Sequence, residues 1–185
     1  MQKENPSVLE VMAKAFETSR GKTVDLVVEH EELSGVTLEM CKWWSNNITS
    51  SFRYRMWHPH DHISFEWEVP PSEDPNVKSI QRAEEGFGEF PASVLRIRYE
   101  DPKTLYIPTV YEIVAGGCLL GPGDKPISWM CHEFKDTPKG LKVRSTFRLP
   151  ADIPQQFIDA LRRHSKEENA RLTEFLPELY RQNVG

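Results

Sequence analysis

Between Phe157 and Leu179 an apolar residue recurs at a fixed interval, and the pattern is broken twice at its centre. Phe157, Leu161, His164, Glu168, Leu172, Phe175 and Leu179 are spaced 4, 3, 4, 4, 3 and 4. That is one continuous stripe at the helical period, the face a helix turns to a core. Five of the seven are large and apolar; the central two are a histidine and a glutamate. Burying a carboxylate without a partner costs several kcal/mol, and Glu167, one position away, shows where an acidic residue would sit harmlessly. A His and a Glu four apart on one face point the same way and can grip one ion. The blander alternatives are a buried His–Glu hydrogen bond or a solvent-filled gap in the stripe. The helix carrying them is predicted to begin near Asp152, its N-cap, with Pro154 tolerated in the first turn. It should run to about Tyr180, with Pro177 kinking or ending it late.

Upstream, proline and glycine mark loops: VPPSEDPN at 69–76, YEDPK at 99–103, GPGDKP at 121–126 and KDTPKG at 135–140. Segments of strand character lie at 52–57, 62–69, 79–88, 93–99, 105–114, 127–134 and 142–149, and helical ones at 7–17 and 37–47. Val94–Tyr99 and Val143–Leu149 alternate apolar with polar residues, as half-buried antiparallel strands do. Helices, then a run of strands, then a long final helix predict an α+β fold: a curved antiparallel sheet gripping its last helix over a cavity. The 185 residues read as a single domain, 1–34 forming an N-terminal helix and lead-in and 35–185 the core. A chain of this length buries roughly two-thirds of its unfolded surface, enough for a real core.

Charge narrows the partners. Lys and Arg number 23 against 28 Asp and Glu, a net charge of −5, and no basic block occurs. An electrostatic grip on nucleic acid or an anionic membrane is therefore not expected. No apolar run approaches the ~20 residues of a membrane-spanning helix, and the start, MQKENPSVLEVM, does not read as a secretion signal. Cys41, Cys118 and Cys131 are odd in number and widely spaced, as reduced thiols of a cytoplasmic protein would be.

A metal at His164 and Glu168 needs further ligands. Tyr54-Arg-Met-Trp57-His58-Pro59-His60-Asp61-His62 holds half of the six histidines. Pro59 breaks the register between His58 and His62, so either could turn inward, or the segment could be an exposed turn. Alternation puts Ala83, Glu85 and Phe87 on one face, which sets a carboxylate among apolar neighbours, although the residues alone read as readily as a solvated acidic strand end. Two His and two Glu suit zinc, or with more water ligands manganese or iron. No cysteine pair has the spacing of a structural thiolate site, and an open coordination position fits a catalytic centre.

The chain is similar in ordered pieces to the 2,4-diacetylphloroglucinol hydrolase family. They are Gly35-Val-Thr-Leu-Glu-Met40 with Trp43-Trp44, Tyr54, Trp57-His58-Pro59-x-Asp61-His62 and Glu85-Gly-Phe-Gly88. Further on come His132-Glu-Phe-Lys-Asp-Thr137-Pro138-x-Gly140, Arg144-Ser145-x-Phe147 and His164-x-x-x-Glu168, so the likeness spans about 35–180. It implies a helix-grip fold of the birch-pollen-allergen and START type with zinc inside, cleaving the bond between an aromatic ring and an acyl group. By that likeness His62, Glu85, His164 and Glu168 are the ligands. His62 is favoured over His58 because a substrate-binding tyrosine precedes the family's ligand by eight residues, where Tyr54 stands. The shorter gap from His62 leaves Glu84 and Glu89 as alternatives to Glu85. His132 is implied to lie in the cavity near substrate. The chain departs from the family in lacking much of its N-terminal region and in a shorter stretch from His132 to His164. Both would reshape the pocket.

The implied chemistry is hydrolysis of a small acylated phenol. Metal-bound hydroxide attacks the acyl carbonyl, His132 protonates the departing ring carbon, and Tyr54 holds a phenolic hydroxyl. Trp43, Trp44, Trp57 and Phe87 are candidates for the cavity wall. The partner is a small aromatic or polyphenolic molecule, and a homodimer is compatible with the sequence. Two rivals are a helix-grip carrier of an apolar ligand with a structural metal, and a hydrolase of esters or amides.

Overall fold

The computed structural model describes residues 5–72 and 77–184. The first four residues of the start and part of the 69–76 loop lie outside the described residues. Side-chain oxygens at Ser7, Thr37 and Ser50 or their partners take up backbone N–H groups that helix starts leave unpaired. Ser7 and Glu10 form a capping box ahead of α1 (Val8–Ser19), with the Ser7 N–H donating to Glu10 Oε2 at 2.8 Å. Met40 N donates to Thr37 Oγ1 at 3.2 Å at the start of α2 (Leu38–Asn47). Arg53 N donates to Ser50 Oγ at 3.3 Å, opening α3 (Ser51–Trp57). This last helix corrects the expectation of a strand at 52–57. Apolar residues alternate there, but the Ser50 cap commits the segment to a helix.

The strands are β1 (Thr23–Glu29), β2 (Leu33–Ser34), β3 (His62–Val69), β4 (Ile80–Phe87), β5 (Phe90–Glu100), β6 (Ile113–Leu120), β7 (Pro126–Thr137) and β8 (Gly140–Pro150). They form one curved antiparallel sheet in the order β1-β8-β7-β6-β5-β4-β3, with β2 pairing to the start of β8. Strand β1 was not foreseen, and the segment 105–114 is a strand only from Ile113 onward. Residues 105–112 instead cover the outer face of the sheet. There Glu133, on the opposite face of β7 from His132, is fully buried and accepts the N–H of Val110 and, at 2.9 Å, that of Tyr111. Its other oxygen is paired with the Arg144 guanidinium, which also holds Glu29 at 2.9 Å. Gly88 has φ 59° in the two-residue connection from β4 to β5, a conformation that favours glycine.

The long helix α4 (Gln155–Val184) starts later and ends later than its sequence indicates. Asp152 is not its cap: the Asp152 N–H donates to Ser19 Oγ at 2.8 Å, and the first turn closes on the Pro154 carbonyl. The helix continues past Pro177 to Val184. Its inner stripe is as read, except that Leu176 is fully buried while Phe175 and Leu179 are half-buried against the same cluster. Phe157, Ala160 and Leu161 join an apolar cluster with α1, β1 and the sheet, and Leu172 and Leu176 join another with α2, α3 and β3. His164 and Glu168 fall between the two. The polar break in the stripe thus coincides with a break in the core.

Candidate metal centre

β3 and β4 pair with His62 directly opposite Glu85, so both side chains leave the sheet on its inner face. α4 crosses that face with His164 and Glu168 one turn apart. His62 Nε2 is 3.8 Å and His164 Nε2 3.7 Å from Glu168 Oε2, and His164 Nε2 is 3.9 Å from Glu85 Oε2. All four residues are buried. Among the described residues, His62, His164 and Glu168 form one group with potential ligand atoms within 4.8 Å of one another; the other is His58, Asp61 and His164.

The rings are oriented by what lies behind them. His62 Nδ1 is 3.1 Å from the Tyr54 carbonyl, which can only accept, so Nδ1 carries the hydrogen and Nε2 is a bare lone pair. That Nε2 is buried and has no hydrogen-bond partner among the described residues. His164 Nδ1 donates to Asp61 Oδ2 at 3.0 Å, which leaves its own Nε2 to face the carboxylates. Histidines that hold metals are oriented in this way, by an acceptor on the nitrogen away from the ion. Tyr54 stacks on His62 with ring centroids 4.0 Å apart, and its hydroxyl donates to Glu85 Oε1.

Burial and mutual charge set the protonation of the four groups. Burial, and then the neighbouring His164, hold His62 down to about 2. Burial pushes Glu85 up, and burial with the adjacent Glu85 pushes Glu168 up to about 8, His164 opposing. Burial works against the charged form of His164, but Asp61, Glu168 and Glu85 outweigh it and raise that group. Two carboxylates that resist ionisation side by side, beside the bare Nε2 of His62, make a group that could hold a divalent ion through N and O ligands.

The alternative candidates have partners of their own or are exposed. Glu84 accepts from Ser64 Oγ at 2.9 Å, and Glu89 is exposed. His58 is buried and stacks on His164 at 4.7 Å, but its Nε2 is 3.0 Å from the exposed Glu167. Asp61 orients His164, a role that spacing in the sequence does not reveal. Its place follows from the turn at 58–62, where the His62 N–H donates to the His58 carbonyl at 3.0 Å.

Beside Glu85, His164 and Glu168, which line it, lies a cavity of about 200 Å³ between sheet and α4. Trp44, Trp57 and Phe87 contribute to its largely apolar wall, together with Tyr54 and His132. Trp43 does not; it packs edge-on against Tyr180 at 5.6 Å. Cys41, Cys118 and Cys131 are all buried free thiols. His132 Nδ1 is 2.8 Å from Ser145 Oγ, and burial holds its ring down to about 4, well below the near-neutral value expected of a free acid. A histidine depressed in the folded state binds its proton more readily once unfolded, so it withdraws stability as pH falls below ~6.5 toward ~4. Between roughly pH 7 and pH 5 the His132→Gln variant should therefore lose about 2 kcal/mol less stability than wild type, measured by urea unfolding. Parallel curves would mean that His132 titrates as a solvated histidine.

An antiparallel sheet wrapped around a long C-terminal helix defines a helix-grip protein. Solved structures similar to it include protein MLL2253 from Mesorhizobium loti (TM-score 0.51, 12% identity, covering 84% of this chain and 98% of that one). Ara h 8.0201 is similar at TM-score 0.53 and 10% identity, over 85% of this chain and 98% of that one. Protein NE0264 from Nitrosomonas europaea is similar at TM-score 0.53 and 13% identity, over 86% and 95%. At such identities the likeness is one of fold. No curated protein sequence matches the chain. The DAPG hydrolase PhiG domain family matches residues 18–161, and the chain belongs to that family. The matched stretch contains Tyr54, His62, Glu85 and His132 and ends before His164 and Glu168. No helix among the described residues is long and apolar enough to cross a membrane.

Proposed function

We propose that the chain is a metal-dependent hydrolase that breaks the carbon–carbon bond between the ring and the acyl group of a small acylated phenol. Zinc is the favoured metal, and manganese or iron also suits the donors. Family membership supports a hydrolase. The observation that carries the metal is the bare, buried Nε2 of His62, set 3.8 Å from Oε2 of Glu168, a residue that lines the apolar cavity. A metal held by His62, Glu85, His164 and Glu168 would supply an activated water and polarise the acyl carbonyl.

The remaining work belongs to the chain. The apolar walls take the aromatic ring and keep bulk water from it. Tyr54 forms part of that wall, where it can meet a phenolic hydroxyl, and its own hydroxyl steadies Glu85. The ring-to-acyl bond breaks, a bond from water oxygen to acyl carbon forms, and the ring carbon takes a proton. His132 is the proton donor. Burial favours its neutral ring, and a phenolate bound beside it raises its hold on a proton, as an adjacent negative charge does.

The products distinguish this chemistry from ester or amide hydrolysis: a carboxylic acid and a deacylated phenol in equal amounts. His132→Ala should slow turnover by about 10²-fold or more, in the range of a lost general acid, while metal content stays unchanged. Cleavage of acyl esters with acyl-phenols left intact, or full activity in His132→Ala, would overturn the assignment.

A further inference from the structure

Ser145, on β8, is fully buried between two histidines. Its Oγ is 2.8 Å from His132 Nδ1 and 2.9 Å from His30 Nε2. The sheet register places it there: Ser145 pairs with His132 on β7 and with Val28 on β1, and His30 follows two residues beyond Val28 on the same face. A hydroxyl has one hydrogen, so it can donate to one of these rings and must accept from the other.

The surroundings of His30 decide the direction. Burial holds both rings near 4, and for His30 the charges of His132 and Lys166 add to it, so near neutral pH each ring carries a single hydrogen. His30 Nδ1 is buried and has no hydrogen-bond partner among the described residues. A hydrogen on that nitrogen would be an orphaned donor, whereas on Nε2 it meets Ser145 Oγ. His30 therefore donates to Ser145, and Ser145 passes its own hydrogen to His132 Nδ1. The hydrogen of His132 is left on Nε2, the ring nitrogen free to face the cavity.

We propose that His30 is a positioning residue: acting through Ser145, it fixes His132 in the tautomer that presents an N–H to the cavity. Its value to catalysis rests on the reading of His132 as the proton donor; the tautomer does not. Nitrogen-15 histidine spectra of the full-length chain as purified, near pH 7, distinguish the two tautomers. In wild type, His132 should carry its hydrogen on Nε2 alone. His30→Leu should give a mixture of both forms, and His30→Gln, whose amide can also donate to Ser145, should restore the single form. Hydrogen on His132 Nδ1 in wild type, or a single form unchanged in His30→Leu, overturns the proposal. The wild-type spectrum decides the direction of the chain by itself should a variant fail to fold. If the tautomer is as stated and no acyl-phenol is turned over, the positioning stands and the proposed function falls.

Discussion

Protein prepared without a polyhistidine tag should contain about one equivalent of a divalent metal, zinc first, and His164→Ala should contain none. His164 brings one of the two nitrogens that face Glu168, and it alone among the four is anchored by Asp61. Glu168→Ala should lose the metal as well. Glu167→Ala should keep it, because that side chain is exposed and bonds only to His58 among the described residues. Asp61→Asn should weaken retention by roughly 10–100-fold, the usual cost of removing the group behind a ligating histidine. Elemental analysis after dialysis reads all four. Equal loss in the Glu167 and Glu168 variants would contradict the orientation of α4. Metal-free wild type, folded and indifferent to added zinc, would remove the metal centre altogether.

Glu133→Ala should be the most damaging substitution away from the cavity. It deprives the half-buried Arg144 of one partner and leaves the N–H groups of Val110 and Tyr111 without their acceptor. Removing one member of a buried pair costs about 3–5 kcal/mol, a fall in Tm of roughly 10 °C for a chain of this size. Residues 105–112 should become susceptible to proteolysis before the rest. A loss below about 1 kcal/mol would mean that Arg144 is adequately held by Glu29 alone.

What the sequence revealed and what it hid divide along locality. The pairing of His164 with Glu168 is a statement about neighbours on one helix, and spacing alone places both on the buried face. Glu85 is likewise marked by alternation with Ala83 and Phe87, all three buried. The helix at Ser51–Trp57 was misread because Phe52, Tyr54 and Met56 alternate as a strand would, while the deciding contact is a single serine cap. In β6 the pair Gly116-Gly117 weakens strand character over the half that pairs with β5, and the loop before it is held by a carboxylate from another strand. The choice between His58 and His62 depends on the turn around Pro59, and the contacts of Asp61, Ser145 and His30 are with residues distant in sequence. Periodicity carries no trace of such contacts.

One measurement tests the central claim most directly: release of carboxylic acid and deacylated phenol from a small acyl-phenol, followed before chelation, after it, and after zinc is returned. The expected result is turnover that stops with the chelator and recovers with zinc, while the fold persists throughout. The contradicting result is a protein that holds its metal, binds acyl-phenols or other apolar ligands tightly, and turns none of them over. In that case the cavity is a carrier's and the metal a structural staple.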